Sequence, residues 1–279
     1  MLFEARPKLG GLNEYGLASY KTTNNFAQKE VEWLLSIGGI EVRTGQQLGR
    51  DITLDSLLDA FDAVFLGLGL QGVNALGVAE PTATGLRNAV DFIAELRQSP
   101  DLSTLPVGRR VVVIGGGMTA VDAAVQSRKL GAEEVTIVYR RGAEAMSASA
   151  VEQQWAQTNG VTIRHWAAPK EVLSENGAVK GVRFAATALS SGKLVETGET
   201  FTLDADMVLK AIGQTFVAEP VGNRIALEGG RIATDAEGQT SLARVWAGGD
   251  CRVGGRDLTV EAVEHGKVAA VSIHAALMA

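Results

Sequence analysis

Residues 111–122 read Val-Val-Val-Ile-Gly-Gly-Gly-Met-Thr-Ala-Val-Asp. A continuous apolar run meets three glycines and passes straight into a helix-forming stretch. Gly115, Gly117 and Ala120 fit the spacing G-x-G-x-x-A. That spacing suits the pyrophosphate of a dinucleotide. The first glycine permits a tight turn and the second lets the backbone approach the phosphates. The small third residue lets helix and strand pack closely. Gly116, Met118 and Thr119 complete the turn and open the helix, whose free N–H groups favour an anion.

The next predicted strand ends in Val138-Tyr139-Arg140-Arg141. A carboxylate here would accept hydrogen bonds from both ribose hydroxyls of NAD. Two guanidinium groups cannot accept them, but they can grip a 2′-phosphate. The pair therefore favours NADP, with NAD left open because cations also end strands for solubility alone. Two carboxylates also end apparent strands. Glu4 closes Met-Leu-Phe-Glu and is followed by Gly10 and Gly11, and Asp250 closes Trp-Ala-Gly-Gly-Asp. Each can hold a sugar hydroxyl; taken alone, Glu4 is equally compatible with a surface acid, and Asp250 more often marks an ordinary turn.

Other chemistries find little support. His165, His265 and His274 are too scattered for a metal site. Cys251 is the single cysteine, so dithiol chemistry and an internal disulfide are excluded. A net charge of −6 without a basic block argues against nucleic acid. The apolar stretch from Asp62 to Ala79 is broken by glycines and an asparagine, so it does not read as a membrane span. Glu4 and Arg6 stand where an apolar leader core would be, so a cytoplasmic location is expected.

Positioning these residues takes an α/β chain of two domains, as 279 residues with 33 glycines suggest. Strands are predicted at 1–4, 40–43, 62–68, 110–114, 135–139, 162–166, 181–187, 206–212 and 245–247. Helices are predicted at 29–37, 54–60, 86–98, 118–130 and 258–277. Residues 99–108, with Pro100 and Pro106, read as a linker, and 189–198 as a polar hairpin tip.

In combination and order, seven segments resemble the pyridine nucleotide-disulfide oxidoreductase superfamily. They are Phe3–Gly11, Ala63–Gly69, Val113–Ala123, Val138–Arg141, Ala211–Gln214, Val245–Asp250 and Leu258–Lys267. Within it the chain is most similar to the glutamate synthase small subunit and to the flavin module of dihydropyrimidine dehydrogenase. The resemblance implies two Rossmann-like three-layer domains, with an NAD(P) domain (103–211) inserted into an FAD domain (1–102 and 212–279). It implies that Glu4 holds the FAD adenosine ribose, that Gly10 and Gly11 pass close to the cofactor, and that Asp250 holds the ribityl chain. It further implies that Thr259 and Val260 offer backbone N–H groups to the flavin. The implied activity is NAD(P)H-dependent flavoprotein oxidoreduction, hydride passing to FAD and electrons on to a partner subunit or domain. No catalytic side chain and no metal ligand is expected, since the cofactors carry the chemistry.

The chain departs from the family pattern in three places. The first strand and phosphate-binding helix of the FAD domain, about 30 residues of a βαβ unit, have no counterpart before Glu4. The iron–sulfur cysteines of the relatives are absent. Met146-Ser147 stands where relatives often have Met-Pro. The first departure leaves three expectations open: a start upstream of Met1, a separate chain that supplies the part, or an NADP(H)-binding fragment that no longer holds FAD and is catalytically silent.

Overall fold

The computed structural model describes residues 1–279. Along the chain, strand β1 (Leu2–Glu4) leads to a single helical turn, α1 (Gly11–Tyr15), and then to α2 (Phe26–Leu35). Helix α2 stops where Gly38 donates to the Leu35 carbonyl at a φ of 82°, a conformation that glycine adopts without strain. Strand β2 (Val42–Thr44) follows, then α3 (Leu54–Ala60) and β3 (Val64–Leu66). Thr53 starts α3 with a reciprocal cap, its hydroxyl accepting the Ser56 amide at 3.1 Å.

Leu86–Asn88 was expected to begin a helix, because Leu86, Ala89, Val90 and Ile93 share a 3.6-residue period. Instead it forms strand β4, and α4 (Ala89–Gln98) starts only after it. Leu86 alone of the helical-period residues lies in the strand, and its spacing does not outweigh parallel pairing with a later strand. Strand β5 (Arg110–Ile114), helix α5 (Met118–Lys129) and strand β6 (Glu134–Val138) form the βαβ unit read from the glycines. Helix α6 (Ala150–Thr158) and strand β7 (Val161–Arg164) complete that half. Three long strands follow, β8 (Ala167–Glu175), β9 (Ala178–Ser190) and β10 (Lys193–Asp204), then β11 (Met207–Lys210). Strand β12 (Val245–Ala247) and the closing helix α7 (Thr259–Met278) end the chain.

Backbone packing divides the chain into two units. One comprises Met1–Gly11, Gln28–Gly72 and Gln214–Ala279; the other comprises Leu12–Ala27 and Val73–Gly213. Leu12–Ala27 and Val73–Leu102 thus join the glycine-turn unit, whereas sequence reading put them with the flanking domain. The cause is tertiary: β4 pairs with β11, and the 12–27 strap bonds to helices α4 and α5.

In the glycine-turn unit, five parallel strands lie in the order β4-β11-β5-β6-β7. One face is covered by α4, α5 and α6, whose Phe92, Ile93, Val121 and Val125 are fully buried beside Val111, Val113 and Ile137. The other face meets the antiparallel sheet β8-β9-β10 through Val112, Ile114, Val182 and Phe184. Strands buried on both faces explain the unbroken apolar run at 111–114. In the other unit, β1 pairs with β2 and β3 pairs with β12, both in parallel, around a core of Leu54, Leu57, Val64, Leu66, Ile232 and Val245.

Candidate functional site

Chain order reverses around β5: β6 and β7 lie to one side, β11 and β4 to the other. The carboxyl end of such a strand is where an open parallel sheet leaves a crevice for a ligand. The glycine turn begins at that point. Its first residue, Gly115, has a φ of 149°, and a Cβ there would collide with the Ala211 carbonyl. Ala211 itself is tied to the turn, its N–H donating to Ile114 at 2.8 Å. Gly115 is thus glycine because the residue that follows β11 leaves no room for a side chain. A Cβ on Gly116 would come within 2.5 Å of the Tyr139 ring. Ala120 is fully buried, which lets α5 lie close to the sheet.

Gly117 is the N-cap of α5, and Ala120 and Val121 already donate to its carbonyl. The amides of Gly116, Gly117, Met118 and Thr119 donate to no backbone carbonyl. A cluster of free amides at a helix start, with the positive end of the helix dipole, is an anion cradle. Val138 pairs with Ile114, and Gly115 donates to its carbonyl at 3.0 Å, so Arg140 and Arg141 emerge beside the turn. Both are exposed, and no hydrogen bond or ion pair holds either guanidinium. Their backbone, by contrast, is fixed: the Arg140 carbonyl accepts from Thr187 Oγ1 at 2.8 Å and that of Arg141 from the Trp166 amide at 3.2 Å. Free charged heads on a rigid backbone are what binding a dianion requires.

In the other unit, Glu4 ends β1 beside Thr44 of β2, and its Oε1 accepts the Arg6 amide at 2.8 Å. Gly10 and Gly11 follow with φ of 115° and 51°. Asp250 lies in the turn after β12, facing Gly69: a Cβ on that glycine would be 3.8 Å from its Oδ1. Burial, with the nearby charge of Asp257, pushes the Asp250 carboxyl above its usual range. Burial likewise pushes the Cys251 thiol up, so that cysteine is an inert core residue. Thr259 and Val260 open α7 and are exposed. Glu4 and Asp250 sit on separate strand pairs, joined by no hydrogen bond between the pairs.

Four functional neighbours escaped sequence reading. Tyr139 covers Gly116, with its hydroxyl donating to the Ala145 carbonyl at 2.6 Å. Ser147 stands beside Gly117. His265 accepts the Gly249 amide at 3.1 Å on Nδ1 and so braces the Asp250 turn. Asp122, on α5, anchors the 12–27 strap. None has a local signal, because each acts on a residue distant in sequence.

The family model described as pyridine nucleotide-disulphide oxidoreductase matches residues 5–266. The chain belongs to this family. It is 34% identical to the beta subunit of NADP(+)-dependent formate dehydrogenase from Moorella thermoacetica, over 98% of this chain and 40% of that protein. It is 32% identical to the glutamate synthase [NADPH] small chain of Escherichia coli (strain K12), over 98% of this chain and 62% of the relative. The chain therefore spans 40% and 62% of the length of these two curated relatives. Among solved structures, Mycobacterium tuberculosis FprA in complex with NADPH shares the fold at a TM-score of 0.80 and 19% identity, covering 99% of this chain and 77% of FprA. The thioredoxin reductase of T. acidophilum gives a TM-score of 0.73 at 18% identity, covering 99% and 90% of the two chains. The two-Rossmann-domain fold expected from the sequence is therefore the fold of this chain. No helix is long and apolar enough to cross a membrane.

Proposed function

We propose that the chain is an NADP(H)-binding flavoprotein module that takes reducing equivalents from NADPH and delivers them to an acceptor on a partner. The observation that carries the reading is the cradle after β5: a glycine forced by the Ala211 carbonyl, unbonded amides at the start of α5, and two unpaired guanidiniums alongside. These residues fit NADP(H). Gly115–Ala120 take the pyrophosphate, and Arg140 and Arg141 take the 2′-phosphate. NAD, which lacks that phosphate, binds the same turn more weakly.

Glu4, Gly10, Gly11, Asp250, Thr259 and Val260 are the residues that would hold FAD. Strand-end carboxylates accept ribose and ribityl hydroxyls. The positive end of the α7 dipole lies where negative charge gathers on the flavin. When bound, the two cofactors supply hydride transfer from the nicotinamide to the flavin. The chain binds, orients and shields them, and no side chain is needed as acid or base. Names such as "subunit beta" and "small chain" among the relatives favour an electron-accepting partner.

One observation favours a second reading, an NADP(H)-binding chain that holds no flavin. In the unit carrying Glu4 and Asp250, the pairs β1–β2 and β3–β12 are not hydrogen-bonded to one another. The visible spectrum of the purified chain after incubation with FAD separates the two. Flavin absorbance that co-purifies near stoichiometry and is bleached by NADPH without oxygen is expected. A colourless protein that still binds NADP+ overturns the flavin assignment and leaves the second reading.

A further inference from the structure

Between Arg141 and helix α6 the chain crosses the mouth of the glycine turn, and its side chains there are placed with little freedom. Met146 and Ala148 are both buried in the core behind α5. The Ala148 amide donates to the Gly116 carbonyl at 3.0 Å, and the Ala148 carbonyl accepts Gln153 Nε2 at 2.9 Å. Just upstream, the Ala145 carbonyl accepts the Tyr139 hydroxyl. Ser147 is thus held between two inward-facing neighbours, and its own side chain is exposed.

The two serines of this segment differ in what they do. Ser149 Oγ accepts the Glu152 amide at 3.2 Å and caps α6. Ser147 Oγ has no hydrogen-bond partner in the protein. It lies next to the α5 N-cap: a Cβ built on Gly117 would sit 3.2 Å from it. A hydroxyl there stands beside Gly117, whose amide, like those of Met118 and Thr119, donates to no backbone carbonyl. It is a neutral donor on an anchored backbone, at the rim of a cradle whose other donors are main-chain groups.

We infer that Ser147 is a further ligand of the dinucleotide, its hydroxyl donating a hydrogen bond to a pyrophosphate oxygen. This rests on the reading that the turn after Ile114 takes NADP(H). Ser147 is a positioning residue: it completes the shell of donors around the phosphates and does not touch the hydride. It acts on the pyrophosphate alone, whereas Arg140 and Arg141 act on the 2′-phosphate.

Calorimetric titration of the full chain with NADP+, NAD+ and adenosine 2′-monophosphate tests the assignment, in the wild type, Ser147→Ala and Ser147→Thr. Ser147→Ala should weaken NADP+ and NAD+ alike, by about tenfold, as for a hydrogen bond to a charged group. Adenosine 2′-monophosphate, which lacks the pyrophosphate, should bind both proteins equally. Ser147→Thr, which keeps the hydroxyl, should restore most of the dinucleotide affinity. Equal NADP+ affinity in wild type and Ser147→Ala overturns the inference and leaves the cradle intact. Loss of adenosine 2′-monophosphate as well overturns it in favour of a purely structural serine. A wild-type chain that binds no NADP+ defeats the reading beneath it.

Discussion

At the scale of residues, the chain separates groups that are glycine or charged for packing from groups left free for a ligand. Gly115 is dictated by the Ala211 carbonyl, and the amides of Gly116–Thr119 that follow it donate to no backbone carbonyl. Arg140 and Arg141 are the clearest free groups. Replacing both with glutamine should cost NADP+ about 2–4 kcal/mol of binding, two charge-assisted contacts' worth, while NAD+ changes little. Equal losses for both nucleotides in a fluorescence titration would refute the 2′-phosphate role. Asp250 carries the opposite signature. Its carboxyl is raised by burial, so the charged form weakens the fold above its folded-state titration, and the penalty disappears as pH falls below about 4. Asp250→Asn should therefore stabilise the nucleotide-free chain at pH 7. That gain should fade in acid, as thermal unfolding across pH would report. A variant no more stable than wild type at pH 7 would mean the carboxyl is not strained by its site. The glycine turn and the arginine pair were legible because each motif is local. Ser147, Tyr139 and His265 were not, because their partners lie on other segments.

At the scale of elements, the strap of residues 12–27 shows how a polar segment is fixed without a strand or a long helix. Asp122 on α5 accepts the Ala18 amide at 3.2 Å, the Tyr20 hydroxyl at 3.0 Å and the Lys21 ammonium at 2.8 Å. Lys21 also reaches Glu152 of α6 at 3.1 Å, and Arg97 of α4 binds the Leu17 carbonyl and Thr22 hydroxyl. Burial works against the Lys21 charge, but its bonds to Asp122 and Glu152 outweigh that and raise its titration. Burial and the neighbouring Asp122 likewise raise the Tyr20 hydroxyl. Removing the carboxylate strands the Ala18 amide and the Tyr20 hydroxyl and leaves Lys21 to Glu152 alone, so Asp122→Ala should lower unfolding stability by about 1–3 kcal/mol, discounted for partial exposure. The Lys21 charge contributes in full just below about pH 10, while Asp122 is ionised, and that contribution is lost at higher pH as Lys21 deprotonates. A loss under about 0.5 kcal/mol in urea unfolding would show the strap to be ornamental. The strap could not be read from sequence, since Ala18 and Asp122 are 104 positions apart. Helix α3 could be, because its cap and apolar spacing are adjacent residues. Strands β8 and β10 were missed and β9 was shortened for a related reason. Strand β10 is exposed along most of its length, so cross-strand pairing, not an apolar alternation, defines it.

At the scale of the whole molecule, the two units divide the chemistry between them. The glycine-turn unit has a continuous five-stranded parallel sheet with a cradle at its reversal point. The other unit has strand-end carboxylates on two separate strand pairs. Fold class and family were legible because seven short segments occur in one order along the chain. The unit boundaries were not legible, since they follow from which strand β4 pairs with and where the strap docks. The central claim is that the turn after Ile114 holds a pyridine nucleotide by its pyrophosphate. A crystal structure of the chain grown with NADP+ tests this most directly. It should show the pyrophosphate on the amides of Gly116–Thr119 and the 2′-phosphate between Arg140 and Arg141. An empty turn, with the nucleotide bound elsewhere, would contradict the account.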